Sequence, residues 1–154
     1  MSLTVGAAAP DFSLPATNGR VVSRDSLKGK PFILYFYPRA DTPGCTKEAC
    51  AFQDGLPDFS KLDAVIIGIS KDSMKALEKF AEKYKLTFPL ASDPEAKVIG
   101  AYDAWQEKSL YGKKYMGIER STVLVDAKGK VAKLWPKVKV AGHAEEVLQA
   151  IQAL

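Results

Sequence analysis

The fold is decided by one stretch, Phe32-Ile33-Leu34-Tyr35-Phe36-Tyr37-Pro38-Arg39-Ala40-Asp41-Thr42-Pro43-Gly44-Cys45, and a second cysteine, Cys50, follows shortly after it. The first six residues are apolar or aromatic, which is typical of a strand buried on both faces. The prolines and Gly44 then predict a turn, and the residues from Cys45 onward predict a helix. In the first turn of a helix, unpaired backbone N–H groups and the helix dipole favour a thiolate. The stretch therefore predicts thiol chemistry at Cys45.

The length and composition of the chain indicate an ordinary globular protein. Its 154 residues, with 47% hydrophobic and 26% charged, predict a single domain over residues 1–154. No apolar run approaches the ~20 residues of a membrane span, and the first residues lack the pattern of a secretory signal. We therefore expect a cytoplasmic protein with no membrane partner. The net charge of +4 comes from scattered lysines without a nucleic-acid-binding motif, so no nucleic-acid partner is expected.

The cysteine and histidine content limits the chemistry further. Two cysteines in a chain without a secretory signal argue against a structural disulfide framework, since cytosolic disulfides are usually transient and catalytic. Cys45, Cys50 and the single histidine, His143, lack the spacing of a zinc site. We therefore expect neither a metal nor another cofactor.

The remaining segments alternate between strand and helix patterns. Residues 11–14 and 21–22 flank the turn signal Asn18-Gly19 and predict an N-terminal β-hairpin. The other predicted elements are a helix over 45–54 ended by Gly55 and Pro57, a strand over 64–69, helices over 73–84 and 95–102, a hairpin over 122–126 and 130–135, and a helix over 143–154. This order predicts an α/β protein with a mixed central sheet flanked by helices, as in the thioredoxin-like fold.

Four residues between the strand and Cys45 suit a reactive thiol. Thr42 has two open interpretations: its hydroxyl turns into the thiol pocket, or it is an ordinary N-cap of the helix. Pro43 and Gly44 make a tight turn whose N–H groups can face the sulfur or its substrate. Pro38 either shields the pocket from water or simply ends the strand.

The spacing of Cys45 and Cys50 has a geometric consequence. On one regular helix, five residues give about 7.5 Å of rise and about 140° of rotation. The two Cα atoms then lie roughly 8–9 Å apart, beyond the ~7 Å at which a disulfide can form. The two cysteines can bond only if the helix unwinds locally. The alternative is that Cys50 is simply a small buried hydrophobic residue.

These residues carry a family resemblance. The pattern Pro38-x-x-x-Thr42-x-x-Cys45 resembles the active-site signature of the peroxiredoxins. With Gly44, Thr46, Glu48 and Cys50 the pattern is similar to the PrxQ, or bacterioferritin comigratory protein, subgroup. The likeness extends over nearly the whole chain, through residues 9–14, 34–38, 68–70 and 117–122.

The resemblance implies a thiol peroxidase that is reduced by thioredoxin or a glutaredoxin-like protein and needs no cofactor. It implies that Cys45 attacks the peroxide, that Thr42 and Arg120 hold the peroxide and the thiolate, and that Pro38 shields the site. Cys50 matches the resolving cysteine of those members that carry both thiols on one helix. An internal resolving thiol favours a monomer. Glu48 either supports Arg120 or faces solvent.

Three other functions remain open at this point. A thiol–disulfide oxidoreductase usually has two cysteines separated by two residues, whereas here four intervene. A cysteine acyltransferase or hydrolase would use His143 as its base, although this residue is expected to cap the last helix or to be exposed. A binding module would use the lysines at 137 and 139. A further apolar cluster, formed by Trp105, Leu110, Tyr111 and Met116, is expected to be core, or else to line an entrance to the site.

Overall fold

The computed structural model describes residues 3–154; Met1 and Ser2 lie outside this range. Its main sheet has seven strands, which are β1 (Ser13–Ala16), β2 (Arg20–Ser23), β3 (Phe32–Phe36), β4 (Val65–Ser70), β5 (Leu90–Ser92), β8 (Ser121–Val125) and β9 (Val131–Trp135). Their order across the sheet is β2-β1-β5-β4-β3-β8-β9. The central strands β3, β4 and β5 are parallel, while β8 runs antiparallel to β3. The sheet is therefore mixed, as predicted.

Four α-helices accompany the sheet. They are α1 (Pro43–Lys61), α2 (Met74–Tyr84), α3 (Lys97–Ala101) and α4 (His143–Gln152), and a short 3₁₀ helix covers Asp25–Leu27. Buried residues of α1, α2 and α4 join one core cluster, whereas those of α3 join a second cluster. In the described part of the chain, no helix combines the length and the apolar character needed to cross a membrane.

Strand β3 lies inside the sheet, between β4 and β8, and supplies side chains to both core clusters. Its five residues are all buried. Phe32, Leu34 and Phe36 belong to one cluster, and Ile33 and Tyr35 belong to the other. This alternation is what a strand covered on both faces requires.

The N-terminal hairpin and the helix starts follow local sequence signals. Asn18 and Gly19 both have positive φ, as a tight hairpin turn requires, and β1 pairs antiparallel with β2. Ser73 caps α2 by accepting a hydrogen bond from the Ala76 N–H at 3.2 Å. These parts of the sequence prediction are confirmed.

Helix α1 does not end where the sequence predicted. It continues through Gly55 and Pro57 to Lys61. Phe52 and Phe59 are buried in the core on either side of these two residues. Their packing outweighs the low helix propensity of glycine and proline, so the predicted end near residue 54 is wrong.

One strand and one hairpin were not predicted. β5 has only three residues, too few to show a strand pattern. β6 (Trp105–Leu110) and β7 (Lys113–Ile118) pair with each other in a separate two-stranded sheet. Because most residues of this hairpin are exposed, it lacks the alternation of apolar and polar residues that marks a half-buried strand.

Candidate active site

The site lies where β3 ends and α1 begins. Cys45 is the third residue of α1 and is buried against the sheet, while Arg120 immediately precedes β8. Because β8 is antiparallel to β3, with Ser121 opposite Phe36, the start of β8 lies beside the end of β3. This topology brings together two residues that are 75 positions apart in the chain.

Arg120 contacts the sulfur directly. Its Nη2 donates a hydrogen bond to Cys45 Sγ at 3.2 Å, and its Nη1 donates to Glu48 Oε1 at 2.7 Å. Guanidinium is planar and always charged, so one fork can hold a carboxylate and face a thiolate at once. The positive charge at this distance stabilises negative charge on the sulfur.

Glu48 is buried beside Arg120, with 1% of its side chain exposed. Of the two interpretations of Glu48, the structure supports contact with Arg120. Burial raises the pKa of Glu48 to about 7, although the charge and hydrogen bond of Arg120 oppose that rise. The second oxygen, Oε2, is buried without a hydrogen-bond partner within residues 3–154. Burial therefore disfavours the ionised form of the Glu48 carboxyl, and Arg120 favours it.

Gly44 allows Arg120 to approach the helix. A Cβ added at Gly44 would lie 3.2 Å from Arg120 Nη2, tighter than most real contacts. The glycine therefore leaves space that the guanidinium occupies. It also leaves the first turn of α1 free of a side chain on the side that faces Arg120.

Thr42 and Pro38 lie in the loop before α1. Thr42 is the N-cap residue by its backbone, but its hydroxyl makes no capping bond and donates instead to the Arg39 carbonyl at 2.8 Å. Pro38 is exposed two residues after the end of β3. The proposed contacts of these residues with peroxide stay predictions.

Both cysteines are free thiols on the same unbroken helix. Cys45 is buried and Cys50 is half-buried. Burial raises the pKa of the Cys50 thiol, and the nearby Asp54 carboxylate raises it further. The Cys45 sulfur is therefore buried beside Arg120, whereas the Cys50 sulfur is half-buried near Asp54.

His143 was expected to cap the last helix or to be exposed, and the structure shows neither. The N-cap of α4 is Gly142, with no side-chain cap hydrogen bond, and His143 is only 2% exposed. Its Nε2 lies 2.8 Å from Thr122 Oγ1, and its ring packs edge-on against Phe52 and Trp135. Burial lowers the pKa of His143 to about 4. The ring is thus neutral and engaged in the core, an arrangement that does not support its use as a general base.

The Trp105, Leu110, Tyr111 and Met116 cluster is not core. Leu110 is 57%, Tyr111 96% and Met116 49% exposed. Trp105 is half-buried at the base of the hairpin, where Lys71 Nζ lies 4.7 Å from its ring centroid. The expectation of a core position is therefore wrong for the three exposed residues.

Sequence reasoning missed the side chains that hold the loop in front of Cys45. Asp41 accepts hydrogen bonds from Tyr84 Oη at 2.7 Å and Lys83 Nζ at 3.0 Å, and Asp72 accepts one from the Ala40 N–H at 2.8 Å. These partners lie 32 to 43 positions apart in the chain, and no local motif links them. Within residues 3–154, no group of three side chains suited to holding a metal ion is present.

Known proteins are similar to this chain in sequence and in fold. The sequence profile of the AhpC/TSA family matches residues 5–134. Peroxiredoxin Bcp of Bacillus subtilis is 49% identical over 152 residues, which cover 99% of this chain and 97% of that protein.

Two solved structures extend the comparison. The bacterioferritin comigratory protein of Xanthomonas campestris, described for its alkyl peroxide reduction activity, superposes with a TM-score of 0.91 at 42% identity, covering 98% of this chain and 96% of that one. A cysteine-to-serine mutant of PrxQ from Xylella fastidiosa superposes with a TM-score of 0.93 at 34% identity, covering 99% and 98% of the two chains. The thioredoxin-like fold and the resemblance noted from the sequence are thereby confirmed, and this chain belongs to the AhpC/TSA family as a peroxiredoxin of the Bcp, or PrxQ, type.

Proposed function

We propose that the protein reduces hydrogen peroxide and organic hydroperoxides through Cys45, in a cycle completed by Cys50 and an external thiol reductant. The observation that carries the proposal is the contact of Arg120 Nη2 with Cys45 Sγ at 3.2 Å, with Glu48 holding the other arm of the guanidinium. The enzyme class follows from the family, whereas the residue roles are the proposal.

In the first step the Cys45 thiolate attacks one peroxide oxygen. The O–O bond breaks, an S–O bond forms, and the leaving oxygen takes up a proton to become water or an alcohol. Negative charge moves from the sulfur to the leaving oxygen, and Arg120 is placed to stabilise both. Cys45 is left as a sulfenic acid. Thr42 and the N–H groups beside Gly44 are proposed to position the peroxide, and Pro38 to exclude water.

In the second step the Cys50 thiolate attacks the Cys45 sulfur. An S–S bond forms and the sulfenic oxygen leaves as water. The first turns of α1 must unwind, because the two Cα atoms are too far apart on an intact helix. A dithiol reductant, thioredoxin or a glutaredoxin-like protein, then restores both thiols through a mixed disulfide.

Mass spectrometry of three proteins tests the cysteine roles. After one equivalent of peroxide, the wild type should contain a 45–50 disulfide, Cys45→Ser should stay unoxidised at residue 50, and Cys50→Ser should accumulate sulfenic or sulfinic acid at residue 45. Oxidation of Cys50 in the Cys45→Ser variant at the wild-type rate would contradict the assignment.

Arg120→Met tests the contact that supports the proposal. Loss of a charged donor to the reacting atoms should lower the second-order rate constant with peroxide by about 100-fold or more. Arg39→Met is the matched control, since Arg39 is an exposed arginine in the loop before the same helix. An equal fall in both variants would indicate a general effect of positive charge.

The cellular setting is also a proposal. An internal resolving thiol needs no second subunit, so we propose that residues 1–154 act as one domain in a monomer, and that the protein works in the cytoplasm. Light scattering coupled to gel filtration, on reduced and oxidised protein, tests the monomer. A dimer in both states would contradict it.

A further inference from the structure

The loop over residues 37–42 joins β3 to α1 and is hydrogen-bonded to residues of two other segments. The Ala40 N–H donates to Asp72 Oδ2 at 2.8 Å, and the same oxygen accepts from Ser70 Oγ at 2.7 Å. One residue later, the Asp41 carboxylate accepts from Tyr84 Oη at 2.7 Å and from Lys83 Nζ at 3.0 Å. Lys83 and Tyr84 form the end of α2. The chain in front of Cys45 is therefore held from outside α1.

Asp41 has a left-handed backbone conformation that these contacts help to hold. Its φ is +59°, in the left-handed region that residues with a Cβ rarely adopt. Such a conformation persists when surrounding contacts hold it. The hydrogen bonds from Tyr84 and then Lys83 also lower the pKa of Asp41, so the ionised carboxylate is the form that is held.

The start of α1 depends on this loop. Asp41 lies two residues before Pro43, the first residue of the helix, and the first helical bond joins the Thr46 N–H to the Thr42 carbonyl at 2.8 Å. Thr42 supplies no side-chain cap. A cap normally stabilises the first turn of a helix. Here the contacts of Asp41 with α2 fix the residues that precede that turn.

We propose that Asp41, Lys83 and Tyr84 form a latch that sets how readily the first turn of α1 unwinds, and thereby how the Cys45 sulfenic acid divides between two fates. In one fate, Cys50 displaces water from the sulfenic acid and forms the disulfide. In the other, a second peroxide transfers an oxygen to the sulfur, giving a sulfinic acid and water or an alcohol. The division of the sulfenic acid rests on the proposed function, whereas the effect on unwinding does not. The three side chains are positioning residues.

Conservative substitutions can open the latch without disturbing the core. Tyr84→Phe removes the hydroxyl and keeps the ring that packs edge-on against Phe80, with centroids 5.5 Å apart. Lys83→Met removes the charge and keeps much of the length. Lys79→Met is the matched control, because Lys79 is exposed on the same helix and makes no ion pair within the described residues.

The first measurement is amide hydrogen exchange of residues 43–50 in the reduced protein, without peroxide. The double variant Lys83→Met/Tyr84→Phe should exchange about two- to tenfold faster there than the wild type, the effect of losing one or two hydrogen bonds. Residues 147–151 of α4 should exchange unchanged, which separates local opening from global destabilisation. Exchange over 43–50 equal to that of Lys79→Met would overturn the latch.

The second measurement is the fraction of sulfinic acid at Cys45 after turnover at increasing peroxide. The double variant should need a peroxide concentration about two- to tenfold higher to reach half conversion, because disulfide formation competes better. Faster exchange with an unchanged sulfinic fraction would overturn the proposed control of the two fates. A Cys50→Ser variant that forms neither sulfenic nor sulfinic acid at residue 45 with peroxide would instead refute the proposed function, and the exchange measurement would still decide whether the latch exists.

Discussion

At the scale of single residues, Glu48 makes stability depend on pH near neutrality. Burial raises the pKa of Glu48 to about 7, whereas a glutamate in an unfolded chain titrates near ~4.3. Between these pH values the folded state holds a proton that the unfolded state has released. The free energy of unfolding therefore falls as pH rises through this window.

Glu48→Gln should remove this dependence. Relative to the wild type, the free energy of unfolding of the variant should rise by about 2 kcal/mol between pH 5 and pH 7.5. Urea denaturation of the reduced proteins at the two pH values measures the difference. A difference that stays constant with pH would show that Glu48 does not titrate in this range.

His143 should act in the opposite direction. Burial lowers the pKa of His143 to about 4, while an unfolded histidine titrates near ~6.5. Below that value the unfolded chain gains a proton that the folded state resists, so stability is lost as pH falls from about 6.5 towards 4. His143→Gln should remove about 2 kcal/mol of this loss between pH 7 and pH 4.5, in the same urea experiment. Because the two windows overlap, the wild type should be less sensitive to pH than either variant.

Gly44→Ala should lower the rate constant with peroxide without lowering the stability of the fold. The added Cβ would lie 3.2 Å from Arg120 Nη2 and push the guanidinium away from its place beside Cys45. We expect the rate constant with peroxide to fall by about tenfold, since small displacements at a reacting group are costly. The urea midpoint should not fall, because alanine is a better helix residue than glycine. A variant with the wild-type rate would show that Arg120 tolerates the displacement.

At the scale of elements, α1 has two parts with different anchoring. Its first turns carry Cys45 and Cys50, and its later turns carry Phe52 and Phe59, which are fully buried. In the disulfide form we expect amide exchange over residues 43–50 to be faster than in the reduced form. Over residues 52–59 we expect the same protection in both forms. Exchange mass spectrometry of reduced and oxidised protein checks this. Loss of protection over the whole helix would mean that the buried phenylalanines do not limit unwinding.

The same helix shows what the sequence could and could not predict. The start of α1 and its Cys45 followed from the strand, the turn signals and the family signature, which are local. The end of α1 did not, because the burial of Phe59 overrides Gly55 and Pro57. The contact of Arg120 with Cys45 was expected only from the family resemblance. The contacts of Asp41 with α2, and the burial of His143 against Trp135, depend on tertiary structure that no local pattern encodes.

At the scale of the whole molecule, Gly68 in β4 leaves space for the Tyr35 ring, which packs against α1. A Cβ added at Gly68 would lie 2.7 Å from Tyr35 Cζ, and the Tyr35 ring stacks on Phe52 of α1 with centroids 4.7 Å apart. The Tyr35 ring cannot move away from an added Cβ without disturbing its packing on α1, the helix that carries Cys45. The absence of a side chain at Gly68 therefore allows α1 to pack closely on the sheet.

Gly68→Ala should lower the free energy of unfolding by about 1–3 kcal/mol through overpacking. Gly100→Ala is the matched control, since Gly100 lies in α3 with nothing within 4 Å of an added Cβ. That variant should be as stable as the wild type or more stable, by up to about 1 kcal/mol. Guanidinium unfolding of both variants tests the pair, and equal destabilisation would contradict the steric argument.

The antiparallel pairing of β8 with β3 also affects the order in which the site is assembled during synthesis. Cys45 emerges from the ribosome 75 residues before Arg120, and contacts between such distant residues form late because loop closure must come first. A nascent chain that ends before β8 carries both cysteines but lacks the guanidinium beside the sulfur. We therefore expect the fast peroxide reaction proposed for Cys45 to appear only after β8 has joined the sheet.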